Sequence, residues 1–89
     1  MKCATVTICN KLGLHARASA KFVSLAGEYK SDITLGRNGQ QVNGKSIMGI
    51  MMLAAAKGAQ LEVCASGSDE ERALQALTAL IENRFGEDE

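Results

Sequence analysis

The stretch from Lys2 to Gly27 has the sequence KCATVTICNKLGLHARASAKFVSLAG, and the spacing of its apolar residues changes once along its length. At the start, alternate residues are apolar, the period of a strand with one buried face, namely Ala4, Val6 and Ile8. From Ala16 to Ala26 the apolar residues recur at helical spacing, namely Ala18, Phe22, Leu25 and Ala26. Gly27 is predicted to end this helix. The stretch therefore predicts a strand, a loop and an amphipathic helix.

The sequence beyond this helix predicts three further strands. Two short ones, at residues 32–35 and 40–42, lie on either side of the turn sequence RNG at residues 37–39, which is typical of a β-hairpin. The last lies between Gly58 and Gly67, where every second residue is apolar, namely Leu61, Val63 and Ala65.

Two further helices are predicted from apolar spacing and end signals. One runs from Ser46 to about Ala56, is followed by Lys57-Gly58, and is kept short by Gly49. Its predicted inward stripe is Ile47, Ile50, Met51 and Ala54. The other is long and begins with a capping box of Ser68 and Glu71. Its predicted inward stripe is Leu74, Leu77 and Ile81, with Leu80 alongside.

The element order is strand, helix, strand, strand, helix, strand, helix. Short elements in this order, with a hairpin in the middle, favour an α+β fold in which helices cover one face of a four-stranded sheet, an open-faced sandwich. Because no linker or low-complexity segment interrupts residues 1–89, we expect one domain.

Charge and hydropathy exclude several kinds of partner. Ten Lys plus Arg balance ten Asp plus Glu, so the chain lacks the positive charge that nucleic-acid binding uses. No segment approaches the roughly 18 apolar residues of a membrane span, and the N-terminus does not resemble a signal peptide. We therefore expect a cytoplasmic protein that does not insert into membranes.

The cysteines are odd in number and form no CxxC pair; they are Cys3, Cys9 and Cys64. This pattern argues against a disulfide framework and against a structural zinc site. We therefore predict no metal and no cofactor, and the pattern assigns the three thiols no role.

His15 is the only histidine, and it lies between a glycine-containing loop and the first residue of the predicted helix. At that N-cap position a bound anion would face unpaired backbone N–H groups and the positive end of the helix dipole. Arg17 adds a guanidinium group suited to phosphate oxygens. The arrangement suits a phosphohistidine, although from spacing alone a surface histidine without chemistry is the commoner case. Hydrolysis is disfavoured because no triad partner is placed beside His15.

The second helix carries Met48 and Met52 on the side away from its predicted inward stripe. Exposed methionines form a deformable apolar surface that suits partner binding, but methionines also fill gaps in cores. Ser46, just before this helix, is most simply an N-cap.

Two segments, NKLGLHARASAKFV at residues 10–23 and VNGKSIMGIMMLAA at residues 42–55, closely resemble HPr, the histidine-containing phosphocarrier family of the bacterial phosphoenolpyruvate-dependent phosphotransferase system. The resemblance extends over essentially the whole chain. It implies a four-stranded antiparallel sheet in the order first, fourth, second, third strand, covered on one face by three helices.

The resemblance also implies the roles of individual residues. His15 would accept a phosphoryl group on Nδ1 from phosphorylated enzyme I and pass it to enzyme IIA domains, assisted by Arg17, without independent turnover. Ser46 would be a regulatory site for a serine kinase and phosphatase, which leaves a mainly regulatory interaction protein as the alternative. The chain would act as a monomer. The predicted partner surface comprises Ala16, Ile47, Met48, Met51 and Met52.

Two features depart from many relatives. Ala18 stands where many have proline, and an alanine in the first helical turn preserves the helix because proline there only lacks an N–H that has no helical partner. The methionine-rich second helix leaves open which enzyme I and IIA domains are served, in a sugar-transport or a nitrogen-type branch.

Overall fold

The computed structural model describes all residues from Met1 to Glu89. The elements, in chain order, are β1 (Lys2–Thr7), α1 (Ala16–Ala26), β2 (Asp32–Arg37), β3 (Gln40–Asn43), α2 (Ile47–Met52), β4 (Gln60–Ser66) and α3 (Glu70–Glu82). A short 3₁₀ turn, Arg84–Gly86, follows α3. None of the helices has the length and apolar character needed to cross a membrane.

The four strands form one antiparallel sheet in the order β1-β4-β2-β3, which confirms the predicted order. The hairpin between β2 and β3 turns at Asn38 and Gly39, with φ of 52° and 84°. A two-residue type I′ turn requires positive φ at both central residues, so the hairpin predicted from the sequence RNG is confirmed. The predicted α+β open-faced sandwich is confirmed.

The core lies between one face of the sheet and the helices. Its largest members include Phe22 from α1, Leu35 from β2, Val63 from β4 and Leu77 from α3, all fully buried. The other face of the sheet carries the alternate residues of each strand and has no helix over it. The core therefore fixes α1 and α2 side by side on the covered face.

The predicted inward stripe of the second helix is correct at Ile50 and wrong at its other three positions. The helix ends at Met52, and Ala54 has a left-handed backbone with φ of 50°. Residues beyond Met52 therefore leave the helical period, and the core receives Ile50, Leu53 and Ala55. Ile47, Met51 and Ala54, which the period placed inside, lie at the surface.

The predicted capping box at the start of α3 is also wrong. The N-cap residue is Asp69, and its carboxylate accepts hydrogen bonds from the N–H groups of Lys30 (2.8 Å) and Ser31 (3.0 Å) and from the Ser31 hydroxyl (2.5 Å). Asp69 thus ties α3 to the loop between α1 and β2 and does not cap its own helix. The Glu70 carboxylate instead accepts from the Gly67 N–H at 3.1 Å.

A disulfide joins Cys3 to Cys64, so the argument from cysteine number and spacing against disulfide bonding is wrong. The two residues are directly opposite each other on β1 and β4. Sequence spacing could not show this, because the partners are 61 residues apart and meet only through the order of strands in the sheet. Cys9 remains a free thiol.

Candidate functional site

His15 is the N-cap residue of α1, as predicted. Its backbone is extended, with φ of −74° and ψ of 177°, and its side chain makes no hydrogen bond to the helix. The Ser19 N–H donates to the His15 carbonyl at 2.9 Å, so the N–H groups of residues 16–18 have no acceptor inside the helix. The imidazole is therefore free to react beside N–H groups and a dipole end that favour an anion.

The loop before His15 is fixed against the chain that follows α2. Gly13 has φ of 65°, and a Cβ there would collide with the carbonyl oxygen of Ala55. The Leu14 N–H donates to that same carbonyl at 2.9 Å, and the Leu14 side chain is buried. These contacts fix the His15 loop against the chain that follows α2.

The C-terminal segment brings Glu87 to His15. The Nε2 atom of His15 lies 2.5 Å from Oε2 of Glu87, and both side chains are largely shielded from solvent. The Asn10 amide donates to Oε1 of Glu87 at 3.1 Å and to the Gly13 carbonyl at 2.8 Å. Asn10 therefore holds the loop and the glutamate in one arrangement around the imidazole.

Phe85 anchors this segment. Its ring is buried in the core, and its carbonyl accepts a hydrogen bond from Lys21 of α1 at 2.7 Å. Because Phe85 precedes Glu87 by only two residues, these contacts limit the positions that the Glu87 carboxylate can reach.

The charge of Glu87 determines which ring nitrogen of His15 is available. Burial alone would raise the pKa of the Glu87 carboxyl, but hydrogen bonds from Asn10 and His15 and the nearby charge of Lys21 outweigh it, so the pKa lies below its ordinary value. The carboxylate is ionised at neutral pH and can only accept a hydrogen bond. Nε2 must then carry the proton, which leaves Nδ1 of the neutral ring with its lone pair.

Two cationic side chains flank this site. Arg17 is exposed, and no hydrogen bond or ion pair occupies its guanidinium group. Lys11 lies 3.4 Å from the exposed carboxylate of Glu89. An open pocket of about 560 Å³ includes both cations with His15. Its lining residues are Lys11, Leu12, His15, Arg17, Glu87, Asp88 and Glu89.

Large apolar side chains lie exposed on α2 and on the loop before His15. Met48 is 78% exposed and Leu12 is 67% exposed, so neither contributes to the core. We call this set the apolar surface, and its members are Leu12, Ile47, Met48, Met51 and Met52. The predicted exposure of Met48 and Met52 is confirmed, and Leu12 was not predicted. Ala16 is also exposed, at the start of α1.

Ser46 is the N-cap residue of α2, as predicted, and its hydroxyl accepts a hydrogen bond from the Gly49 N–H at 3.1 Å. No hydrogen bond joins it to His15 or Arg17, but α1 and α2 pack against each other. Ser46 therefore lies at the start of the helix that carries most of the apolar surface.

Sequence reasoning missed Glu87 and Asn10. Glu87 is 72 residues from His15 along the chain, and no local pattern links the two. The only signal was an acidic C-terminal segment, which is equally typical of a solvated tail.

Comparisons with known proteins agree with this geometry. A family model described as the PTS HPr component phosphorylation site matches residues 2–83. The phosphocarrier protein HPr of Cupriavidus necator is 59% identical over 83 residues, which cover 93% of each chain.

Solved structures extend the likeness to the fold. The structure of HPr-C-His from Thermoanaerobacter tengcongensis covers 100% of both chains, with a TM-score of 0.96 and 47% identity. A structure described as an HPr dimer from the same organism is 48% identical, with a TM-score of 0.78, and covers 98% of this chain and 100% of the other.

Proposed function

The chain belongs to the HPr family of phosphocarrier proteins of the phosphotransferase system, and on that basis we propose that His15 carries the phosphoryl group. The observation that supports this most directly is the state of the imidazole: its Nε2 is bonded to Glu87, while its Nδ1 faces no protein partner. Residues 1–89 would act together as one phosphocarrier domain.

The proposed step is a transfer between nitrogens. The Nδ1 lone pair attacks the phosphorus of the phosphohistidine on enzyme I, a new N–P bond forms at His15, and the N–P bond of the donor breaks with its electron pair returning to the donor ring. Passage to an enzyme IIA domain repeats the same exchange with His15 as the donor. No water, metal or cofactor enters the balance.

Three features support stabilisation of the transferred group. The free N–H groups at the start of α1 and the guanidinium of Arg17 can donate to phosphoryl oxygens. Glu87 faces the opposite nitrogen, where positive charge develops as Nδ1 binds phosphorus. This interaction strengthens along the reaction, which is what accelerates a step.

In this scheme the protein is a substrate of two enzymes and has no turnover of its own. The only titratable group bonded to His15 is Glu87, and it contacts Nε2, on the other side of the ring from Nδ1. Once Nδ1 carries the phosphoryl group, Glu87 is therefore not placed to activate a water molecule for hydrolysis of that group. The protein would leave each cycle with an unmodified imidazole.

Intact-mass measurement tests the assignment. Incubation with enzyme I and phosphoenolpyruvate should add one phosphoryl group, which mild acid should remove. His15→Ala should keep the fold and gain no acid-labile phosphate, whereas Arg17→Ala should be phosphorylated slowly. Nitrogen-linked phosphate on the His15→Ala protein, or unchanged kinetics for Arg17→Ala, would refute the corresponding assignment.

We propose that the apolar surface, together with Ala16, binds enzyme I and IIA domains. It lies on α2 and the His15 loop, so a partner seated there reaches Nδ1. We propose action as a monomer in the cytoplasm; the HPr dimer known from Thermoanaerobacter tengcongensis makes oligomeric state something to measure for this chain.

A regulatory function is supported by the position of Ser46. Its hydroxyl is partly exposed at the start of α2, where a serine kinase could reach it and a phosphatase could reverse the change. Phosphorylation of Ser46 or His15 would then alter partner binding, and the branch served would depend on those partners.

A further inference from the structure

The open face of the sheet carries a cluster of soft and charged ligand groups that the carrier function does not use. Cys3, Glu62 and Cys64 offer two sulfurs and a carboxylate oxygen that all lie within 4.8 Å of one another. Cys3 and Cys64 are opposite residues on β1 and β4, and Glu62 precedes Cys64 by two positions on β4, which places it on the same face. The three groups therefore converge because of the register of the sheet.

This cluster is separate from the phosphoryl site. Cys3 stands near the start of β1, whereas the loop to His15 leaves from the other end of that strand. The side chain of Glu62 makes no ion pair or hydrogen bond with other residues. An open groove beside it, lined in part by Thr5, Gly36 and Gln60, gives water and ions access.

We propose that the reduced form of this cluster binds one zinc ion through Cys3, Cys64 and Glu62, and that formation of the Cys3–Cys64 disulfide releases it. Two thiolates and a carboxylate form a ligand set that zinc accepts in tetrahedral geometry, with water as the fourth ligand. Bond lengths of about 2.3 Å to sulfur and about 2.1 Å to oxygen place ligand atoms about 3.5–3.8 Å apart. After reduction of the disulfide the two sulfurs would therefore separate by side-chain rotation to this distance, while the Glu62 carboxylate already lies within 4.8 Å of them.

The disulfide is not required to hold the domain together. A cluster of 18 buried apolar residues forms the core without either sulfur, and β1 is already bonded to β4 along six residue pairs. We expect Cys3 and Cys64 to be reduced because the proposed function places the protein in the cytoplasm, where disulfides rarely persist.

Zinc binding, oxidative release of the ion and reduction of the disulfide each balance with a named reagent. On binding zinc, two thiols lose two protons and Glu62 contributes its carboxylate. Hydrogen peroxide removes two electrons from the bound thiolates, gives the disulfide and, with two protons, two molecules of water, and frees the zinc ion. A dithiol reverses the oxidation by thiol–disulfide exchange.

Calorimetric titration of the full chain with zinc chloride tests the proposal. The reduced chain should bind one zinc per chain and release protons, measurable by repeating the titration in buffers with different heats of ionisation. The peroxide-treated chain should not bind at this site. Cobalt should give the charge-transfer absorption of thiolate ligands, which requires sulfur in contact with the metal.

Matched variants separate this site from others. Cys3→Ser and Glu62→Gln should each weaken zinc binding at least about tenfold. Cys9→Ser, which removes the other thiol, and Asp32→Asn, which removes an exposed carboxylate on the same face, should bind as the parent does. All four should still be phosphorylated at His15, which keeps this test distinct from the test of carrier function.

Three results would overturn the proposal. They are equal zinc affinity for the reduced chain and Cys3→Ser, loss of binding in Cys9→Ser, and one zinc shared by two chains.

Discussion

Replacement of Glu87 by alanine should slow the phosphorylation of His15 while leaving the fold intact. The carboxylate lies 2.5 Å from Nε2 of His15 and is ionised at neutral pH. In the proposed transfer it would stabilise the positive charge that the ring gains as Nδ1 binds phosphorus. Phe85 and not Glu87 anchors the C-terminal turn in the core, so the substitution removes charge without opening the core.

The size of the effect follows from the hydrogen bond and its exposure. Hydrogen bonds to charged groups contribute about 1.5–3 kcal/mol. The His15 and Glu87 side chains are 28% and 17% exposed, and this partial solvent screening places the contribution at the lower end, about 1.5 kcal/mol. Because this bond already exists before the transfer, only the part gained as the ring becomes charged lowers the barrier, so the rate should fall by up to about tenfold. Glu87→Gln should fall between, because its amide oxygen accepts from Nε2 but carries no charge.

Rapid-quench measurement of transfer from phosphorylated enzyme I gives the rate directly. The matched control is Glu89→Ala, which removes a nearby carboxylate that is 73% exposed and bonded only to Lys11; its rate should equal that of the parent. An unchanged rate for Glu87→Ala would show that the contact is only structural, and a faster rate would show that Glu87 obstructs phosphorylation.

Three further predictions concern docking, regulation and acid stability. Met48→Asp should fold normally, because the side chain is 78% exposed, yet lose about tenfold or more in calorimetric affinity for enzyme I, since burial of a methionine contributes about 1.5–3 kcal/mol; normal affinity would remove Met48 from the interface. Ser46→Asp should keep the parent's melting temperature, because aspartate caps as well as serine, but bind enzyme I more weakly than the parent, with the larger difference at low salt. An affinity equal to that of the parent at low salt would leave Ser46 a cap only. Asp69, whose pKa is lowered to about 2 mainly by the hydrogen bond from the Ser31 hydroxyl, stabilises the fold fully above about pH 4 and loses this effect towards pH 2, so urea denaturation of Asp69→Asn should change less than that of the parent over that range.

Patterns that depend on neighbouring residues predicted the elements of the fold well. The bounds of α1 were predicted to the residue, because its helical period begins and ends sharply. The α2 stripe was predicted correctly only at Ile50, because the helix ends at Met52 and the chain after it, where Ala54 has a left-handed backbone, brings Leu53 and Ala55 into the core. The predicted capping box failed because Asp69, the N-cap residue, bonds to a loop 38 residues away.

The candidate site divides in the same way. His15 and Arg17 are adjacent to a loop and a helix start, so the sequence alone placed them together. Glu87 and the Cys3–Cys64 pair depend on contacts over 72 and 61 residues. Cys3 meets Cys64 because of the order of the strands, and Glu87 meets His15 because of the path of the C-terminal segment. The spacing of residues in the sequence predicts neither of these features.

The proposed carrier and regulatory functions meet on one surface. In that scheme a partner that takes the phosphoryl group from His15 covers the loop before it, where Leu12 is exposed, and this loop contacts the chain just after α2. The same partner would then cover Met48 and approach Ser46 at the start of α2. A phosphate on Ser46 would bring about two negative charges into a largely apolar interface, facing a partner whose own phosphoryl group is anionic. Repulsion and desolvation would therefore weaken docking before any chemistry at His15 begins, so one modification can control the other without a change of fold.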